Sequence, residues 1–347
     1  MKKKVCIIGR VAPKEKLFDG QTVKTRILYN ELKAKTNWKI YLVDTFYKNH
    51  KIRLFLKTIF SCLVCRDIFI SLSSNGLNFF YKFFKTFLHF KKLRIYHYVI
   101  GGNHHKYLQE HKDFINVNKK FVANWVETKS LIKEFEKIGL YNAKYMPNFK
   151  SLIPVEIKAD SLNQSGPLKF VVFSRINKVK GIIEASEVVK TINEKYKKNM
   201  CLLDCYGVVE DNFKDKFNEI LKTNSFVSYK GIVDPLQSTK VLQNYYMLLF
   251  PTSWDGEGFA GTILDAYFSG IPVIASDWNC NGEVIVEGQT GFLYPSKRFN
   301  SLFDCVDYCV QNVTEILKMK YNCIKEATKY TPEKYIDEII NFVEKRS

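Results

Sequence analysis

Two carboxylates eight residues apart, Glu257 and Asp265, stand among small and apolar residues in the stretch PTSWDGEGFAGTILDAYFSGIPVIAS. The run MLLFPTS has the pattern of a buried strand ending at Pro251–Ser253. WDGEGFAG reads as a loop, and TILDAYFSG as a short helix stopped by Gly270. A strand that leads through a glycine loop into a helix N-terminus presents backbone N–H groups to an anion. Gly258, Ala260 and Gly261 let a ligand approach the main chain closely. Asp265, about one turn inside the helix, is placed to accept hydrogen bonds from neutral hydroxyls beside that anion, as a carboxylate does with a ribose diol. Glu257, on the loop, reaches a different part of the same ligand. Two acids and an anion pocket point to a nucleotide carrying a sugar.

Those residues need a scaffold. At 347 residues the chain is long for one core, so two domains are expected. Short β-branched runs alternate with helical patterns, which predicts α/β architecture with parallel sheets. Candidate strands in the first half are KVCIIG, WKIYLVDT, DIFISLS, RIYHYVIG and KKFVANW; LKFVVFSR, NMCLLDCYG, VSYKGIV, YMLLFPTS and IPVIAS restart the rhythm. Between the halves, MPNFKSLIPVEIKADSLNQSGP lacks periodicity and reads as a linker. The expected division is an N-terminal Rossmann-like domain over 1–155, a second over 156–330, and a C-terminal helix over 331–347 able to return to the first. Two such domains facing each other across a cleft hold ligands at the carboxyl ends of their strands. Arg175 and Lys180 directly follow a buried strand, where phosphate ligands are expected. Arginine supplies a planar two-pronged contact and lysine a point charge, a division suited to a diphosphate.

The net charge is +18. Residues 1–150 hold 30 Lys and Arg against 10 Asp and Glu, leaving 23 against 25 in the rest, so the whole excess lies in the first half. Such a face suits an anionic membrane surface or a nucleic acid. Within LNFFYKFFKTFLHFKKLR (77–94), Phe80, Phe83, Phe84, Phe87 and Leu88 fall on one helical face. Residues 45–100 carry ten basic side chains and one acid, Asp67. This favours membrane contact, against the alternative of an ordinary helix packing its phenylalanines on the sheet. No apolar run long enough to span a bilayer is present, and the start MKKKVCIIGR reads as a first strand rather than a signal peptide. Nine scattered cysteines, including CLVC at 62–65, read as buried thiols, with no metal site.

The acid stretch resembles the E-x7-E segment of the retaining glycosyltransferases of family 4, with Asp265 in place of the second glutamate. The resemblance continues through SGIPVIASDWNCNGEVIVEGQTGFLYP and through VVFSRINKVKGIIEA, where Arg175 and Lys180 match a G-R-x4-K-G phosphate segment and Ser174 replaces the usual glycine. KYMPNF and YKGIV, with Ile232 near the base, are similar to further family segments. The resemblance implies the GT-B fold and a donor held mostly in the second domain, by Asp265, Gly258, Phe259, Ala260, Gly261, Thr262 and Ile232. It implies that Gly20 and Gln21, in DGQTVKTRILYNEL, lie beside the donor phosphates. VIGGNHHKYL puts Gly101, Gly102 and Asn103 on the acceptor side and makes His104 a candidate at the reacting sugar, whereas His97 reads as core.

The resemblance further implies a retaining, metal-independent hexosyl transfer, with the nucleotide-sugar (a UDP-sugar favoured) as co-substrate and no cofactor. Glu257 orients the sugar; Arg175, Lys180 and the amides at Gly258–Thr262 stabilise the leaving diphosphate. The implied acceptor is a polyprenyl-linked oligosaccharide in capsule, exopolysaccharide or O-antigen assembly, and the expected location is cytoplasmic, peripheral on the inner face of the cell membrane. Two alternatives are an inverting GT-B enzyme with His104 as base and a basic nucleic-acid- or membrane-binding protein without enzymatic activity. The D-x-E spelled by Asp255 and Glu257 suggests a metal motif only in a different architecture.

Overall fold

The computed structural model describes residues 2–15, 17, 19–47, 50–158 and 166–346. It divides into two compact units. The first takes the chain up to Lys150, the short segment Gly256–Phe259 and the chain from Thr331; the second takes Ser151–Asp255 and Ala260–Tyr330. The sequence placed the boundary at 155/156. Val155 instead donates its N–H to the Phe268 carbonyl at 2.9 Å, so the middle of the linker already belongs to the second unit. A further departure is Gly256–Phe259, expected in the second domain and packed with the first.

The first unit is built on strands β1 (Lys4–Gly9), β2 (Lys39–Asp44), β3 (Asp67–Ser71), β4 (Arg94–Tyr98), β5 (Ala123–Val126) and β6 (Ala143–Tyr145), in the order β2-β1-β3-β4-β5-β6. The second is built on β7 (Leu168–Phe173), β8 (Cys201–Tyr206), β9 (Val227–Tyr229), β10 (Met247–Phe250), β11 (Val273–Ser276) and β12 (Gly291–Tyr294), in the order β12-β11-β10-β7-β8-β9. Every pairing is parallel. Strands covered on both faces read as unbroken apolar runs, and Val5–Ile8 and Met247–Phe250 do so. The sequence pattern supplied ten strands and missed the edge strands β6 and β12. AKY and GFLY are too short to show a period, and an edge strand needs only one partner.

The first core shows how the one acid of residues 45–100 is used. Asp67 opens β3 in the interior, where the Arg94 Nε and Nη2 reach its two oxygens at 2.7 and 2.6 Å and the Tyr96 hydroxyl donates at 3.1 Å. A buried carboxylate is tolerable only when paired in this way. Beside it, Phe69, Tyr96 and Trp125 stack at centroid distances of 5.1 and 5.6 Å. The helix Pro332–Glu344 closes over this layer with Tyr335, Ile336, Ile339 and Val343, and Asp337 meets Lys35 at 3.0 Å.

The aromatic helix of the sequence spans Ser74–Phe90. Phe80, Tyr81 and Phe84 are buried in the core, and Phe83, Phe87 and Leu88 pack against it. Phe80 and Phe84 of the stripe are thus core, Phe83 and Phe87 are partly buried, and Phe79 and Phe90 stand out to solvent. The larger exposed apolar face belongs to the preceding helix, Lys51–Val64, which shows Ile52 (78% exposed), Phe55, Leu56, Phe60 and Leu63. Between the two helices runs an apolar groove of about 440 Å³, lined by Phe55, Ile59, Phe79, Phe83, Phe87 and Phe90. Among the described residues no helix is long and apolar enough to cross a membrane. All nine cysteines are free thiols and buried.

Candidate functional site

In the second unit the phosphate candidates lie where the sequence put them, after β7. Arg175 follows the strand, and the turn Lys178–Lys180 leads into the helix Ile182–Tyr196. Asn177 caps that turn, its Oδ1 accepting from the Lys180 N–H at 3.1 Å. Gly181 then takes φ +71°, the left-handed region that favours glycine, and a Cβ there would fall on the Pro251 carbonyl. The Ser253 N–H donates to the Val179 carbonyl at 2.9 Å, so the turn and the start of the acid loop are tied together.

Two cations converge on that loop. Lys180 Nζ lies 4.6 Å from the Trp254 ring centroid and Arg175 Cζ lies 5.6 Å from it. Arg175 is half exposed and pairs with Glu210 at 3.3 Å; Asn177 Nδ2 donates to the same oxygen at 2.9 Å. An arginine and a lysine held over one indole ring form a positive site suited to a diphosphate. Thr262 anchors the start of the helix Gly261–Phe268 by donating from Oγ1 to the Phe173 carbonyl at 2.6 Å. Asp265 sits buried in the helix, where Oδ1 accepts from Ser238 Oγ at 2.9 Å. Ile232, beyond β9, is half exposed after Gly231 at φ +84°.

Glu257, Gly258 and Phe259 pack in the first unit. The Gly102 N–H reaches the Gly256 carbonyl at 3.4 Å, and Asn148 Nδ2 donates to the Phe259 carbonyl at 3.1 Å. The Phe259 N–H is bonded at 3.3 Å to Oε2 of Glu127, the residue after β5, whose Oε1 is ion-paired with Lys24. Approach is close throughout. A Cβ on Gly258 would stand 2.7 Å from Glu127 Oε2, and one on Gly102 would overlap the Glu257 carbonyl. Gly101 and Gly102 are therefore cradle residues for the acid loop, and Gly101 takes φ +79°. Glu257 itself is only 6% exposed.

Gly20 and Gln21 begin the helix Gly20–Lys35, capped by Asp19, which accepts from Thr22 N at 3.2 Å. A Cβ on Gly20 would meet open space, whereas Gln21 spends its amide on the Ser71 carbonyl at the end of β3, 3.1 Å away. Asn103 caps the helix His104–Glu110.

His104 needs correcting as a catalytic candidate. Its Nε2 is hydrogen-bonded to the Tyr81 hydroxyl at 3.2 Å, and its ring packs on Tyr81, His97, Tyr107 and Phe135. Burial, with His97 and His105 adding to it, holds its pKa well below the usual histidine range. It is a neutral imidazole in an aromatic core. His97 is also core, held down at about 3 by burial and bonded through Nδ1 to Asn124. Lys24, Glu127 and Trp254 were missed as site residues, although the acid ending NWVE at a strand terminus was a usable signal.

A family model described as glycosyl transferases group 1 matches residues 155–330, just over half of the chain. A Klebsiella pneumoniae protein, described as an uncharacterized 41.2 kDa protein in the cps region, is 25% identical over 62% of this chain and 56% of its own length. The GtfA subunit of the Streptococcus pneumoniae UDP-N-acetylglucosamine–peptide N-acetylglucosaminyltransferase is 26% identical over 57% of this chain and 38% of its own. The chain thus spans about half the length of the first curated relative and less of the second. Among solved structures, Anabaena HepE in complex with UDP and glucose superposes with a TM-score of 0.73 at 12% identity, covering 99% of this chain and all of that one. That likeness shows the fold, the GT-B fold of paired parallel sheets.

Proposed function

The chain belongs to the glycosyl transferases group 1 family, and on that premise we propose that it moves a sugar, with retention, from a nucleotide-diphosphate donor to a hydroxyl of a lipid-linked glycan at an anionic membrane surface. The observation that carries this reading is the convergence of Arg175 and Lys180 on Trp254, in the loop before the helix that bears Asp265. The diphosphate occupies the positive site. Asp265 holds the ribose, Ile232 lies by the base, and Gly258–Thr262 border the phosphates. Glu257 orients the sugar, Gly20 and Gln21 lie toward the donor phosphates, and Gly101, Gly102 and Asn103 toward the acceptor.

In the reaction the bond from the sugar's anomeric carbon to the β-phosphate oxygen breaks, and that carbon bonds to the acceptor oxygen. The acceptor proton passes to the departing phosphate on the same face, which preserves the anomeric configuration without a protein nucleophile. Arg175 and Lys180 take up the developing phosphate charge, a task that in this reading needs no metal or cofactor. Burial of His104 weighs against an inverting route through that residue. Uridine as the base is supported by the UDP bound to HepE. A surface-polysaccharide role is supported by the cps location of the Klebsiella relative. The membrane is supported by the exposed apolar helix Lys51–Val64 within the basic half of the chain.

The test is calorimetric titration with UDP, GDP and ADP, without metal and then with EDTA, on wild type and Asp265→Ala. Selective binding by one nucleotide, undiminished by EDTA and weakened in the variant, is expected. No binding by any of the three would overturn the donor assignment. Retention is checked by the anomeric configuration of the product.

A further inference from the structure

A lysine ammonium with its charge almost wholly out of water is rare unless something pairs it. Lys24 is 8% exposed and Glu127 1%. The helix Gly20–Lys35 brings the first and the end of β5 the second, and they meet as an ion pair. Glu127 does not stop there, because its other oxygen holds the Phe259 N–H. Glu257, two residues earlier, lies near enough to Lys24 to favour its charged form, while Lys150 opposes it. Two groups from separate parts of the sequence, Lys24 and Glu127, thus meet the four-residue loop Gly256–Phe259.

We propose that Lys24 and Glu127 are positioning residues for the acid loop: Lys24 is shared between the two carboxylates, and Glu127 fixes the Phe259 amide, so that Glu257 is presented in one orientation. The inference rests on the reading of Glu257 as the residue that orients the donor sugar. Glycine at 258 is a requirement of the same device, since a Cβ there would press on Glu127 Oε2 and on the Gly101 backbone at 3.1 Å. Burial pushes the Lys24 amine down to about 7, and Glu257 opposes that shift. Truncation of Lys24 removes the cation that pairs Glu127 and lies near Glu257, and the loop is expected to loosen. The diphosphate ligands Arg175 and Lys180 lie in the second unit and take no part.

The experiment is amide hydrogen exchange of the full chain, followed in the peptide that covers 256–259, for wild type, Lys24→Met, Lys24→Gln and Glu127→Gln. Lys24→Met and Glu127→Gln are expected to speed exchange there by about tenfold or more, the size of one lost charge-assisted bond. Peptides from β1 and β3 should stay protected. Lys24→Gln, which keeps a donor for Glu127, should recover part of the protection. Calorimetric UDP affinity should stay within about twofold of wild type, a change below 0.5 kcal/mol. Loop exchange as slow as wild type in Lys24→Met would overturn the proposal, as would acceleration spread equally over β1 and β3. Glu257→Gln separates the two readings. If it leaves turnover of the donor unchanged while Lys24→Met still frees the loop, the donor-sugar role of Glu257 fails and the positioning pair stands.

Discussion

Gly181→Ala is the substitution whose cost follows most directly from the geometry. The residue sits at φ +71°, and a Cβ there would overlap the Pro251 carbonyl oxygen and come within 2.5 Å of Pro251 Cγ. The left-handed conformation costs a residue with a Cβ about 1–2 kcal/mol. Forcing one extra carbon into a filled site costs about 1–3 kcal/mol more. The sum, about 2–5 kcal/mol, is relieved in part if Pro251 moves away from the turn Lys178–Lys180. That relief breaks the Ser253–Val179 bond that ties the turn to the acid loop, so stability is regained at the expense of the phosphate site. Denaturant unfolding and UDP calorimetry on the same variant read both outcomes. We expect the second unit to lose about 2 kcal/mol or more, and UDP affinity to fall at least tenfold, about 1.4 kcal/mol. Gly20→Ala is the control, since a Cβ there meets open space; its stability should stay within about 0.5 kcal/mol of wild type. If Gly181→Ala unfolds within 0.5 kcal/mol of wild type and binds UDP equally well, the argument from left-handed strain and close approach is refuted.

Arg175→Ala should weaken UDP by about 1.5–3 kcal/mol, the worth of a charge-assisted contact; because Arg175 and Lys180 lie over Trp254, UDP should also alter tryptophan emission in wild type and not in Trp254→Phe. Acid should destabilise the first unit through His97, whose folded pKa is held at about 3 while an unfolded histidine titrates near 6.5. Between those values the unfolded chain binds a proton that the folded one refuses, so this stability is complete above about pH 6.5 and is lost as pH falls toward 3. Unfolding at pH 7.5 and 5.0 should differ by about 2 kcal/mol from this residue, so the difference should be smaller by that amount in His97→Gln. Leu56→Asp with Phe60→Asp, both on the exposed face of the helix Lys51–Val64, should abolish sedimentation with anionic vesicles and leave UDP affinity unchanged, each side chain contributing about 1.5–3 kcal/mol when buried in lipid; equal sedimentation of the variant would reject that face as the contact.

The parts of this molecule that were legible in its sequence are those where one local rule decides. Parallel strands covered on both faces leave unbroken runs such as KVCIIG and IPVIAS, and the residues that follow such a strand, or its glycine loop, stand where ligands are expected, which made Arg175, Lys180 and Asp265 candidates. Legibility ended where packing between distant segments decides. Nothing in QTVKTR says that Lys24 meets a residue 103 positions later, and nothing in GEGF says that these four residues pack within the first unit. Helical periodicity reports which face is apolar without saying whether the protein or its surroundings cover it. The phenylalanines of 77–94 therefore read as a surface, yet Phe80 and Phe84 are core, and the larger exposed face lies one helix earlier. His104 follows the same logic, because its neighbours Tyr81 and Phe135 come from other helices.

The thiols carry a last consequence. Burial pushes Cys62 up to about 12 and Cys65 to about 11 in the first unit, and Cys201 and Cys205 to about 12 in the second. Thiolate, the reactive form, is therefore scarce at neutral pH, and alkylating reagents have nothing to modify while the units stay closed. Each labelling event becomes a count of openings, as in a burglar alarm wired to separate rooms. Cys6, Cys62 and Cys65 report the first unit, and the six cysteines from Cys201 to Cys323 report the second. Mass spectrometry of labelled peptides can then time the two halves independently in a single unmodified chain, with no probe introduced.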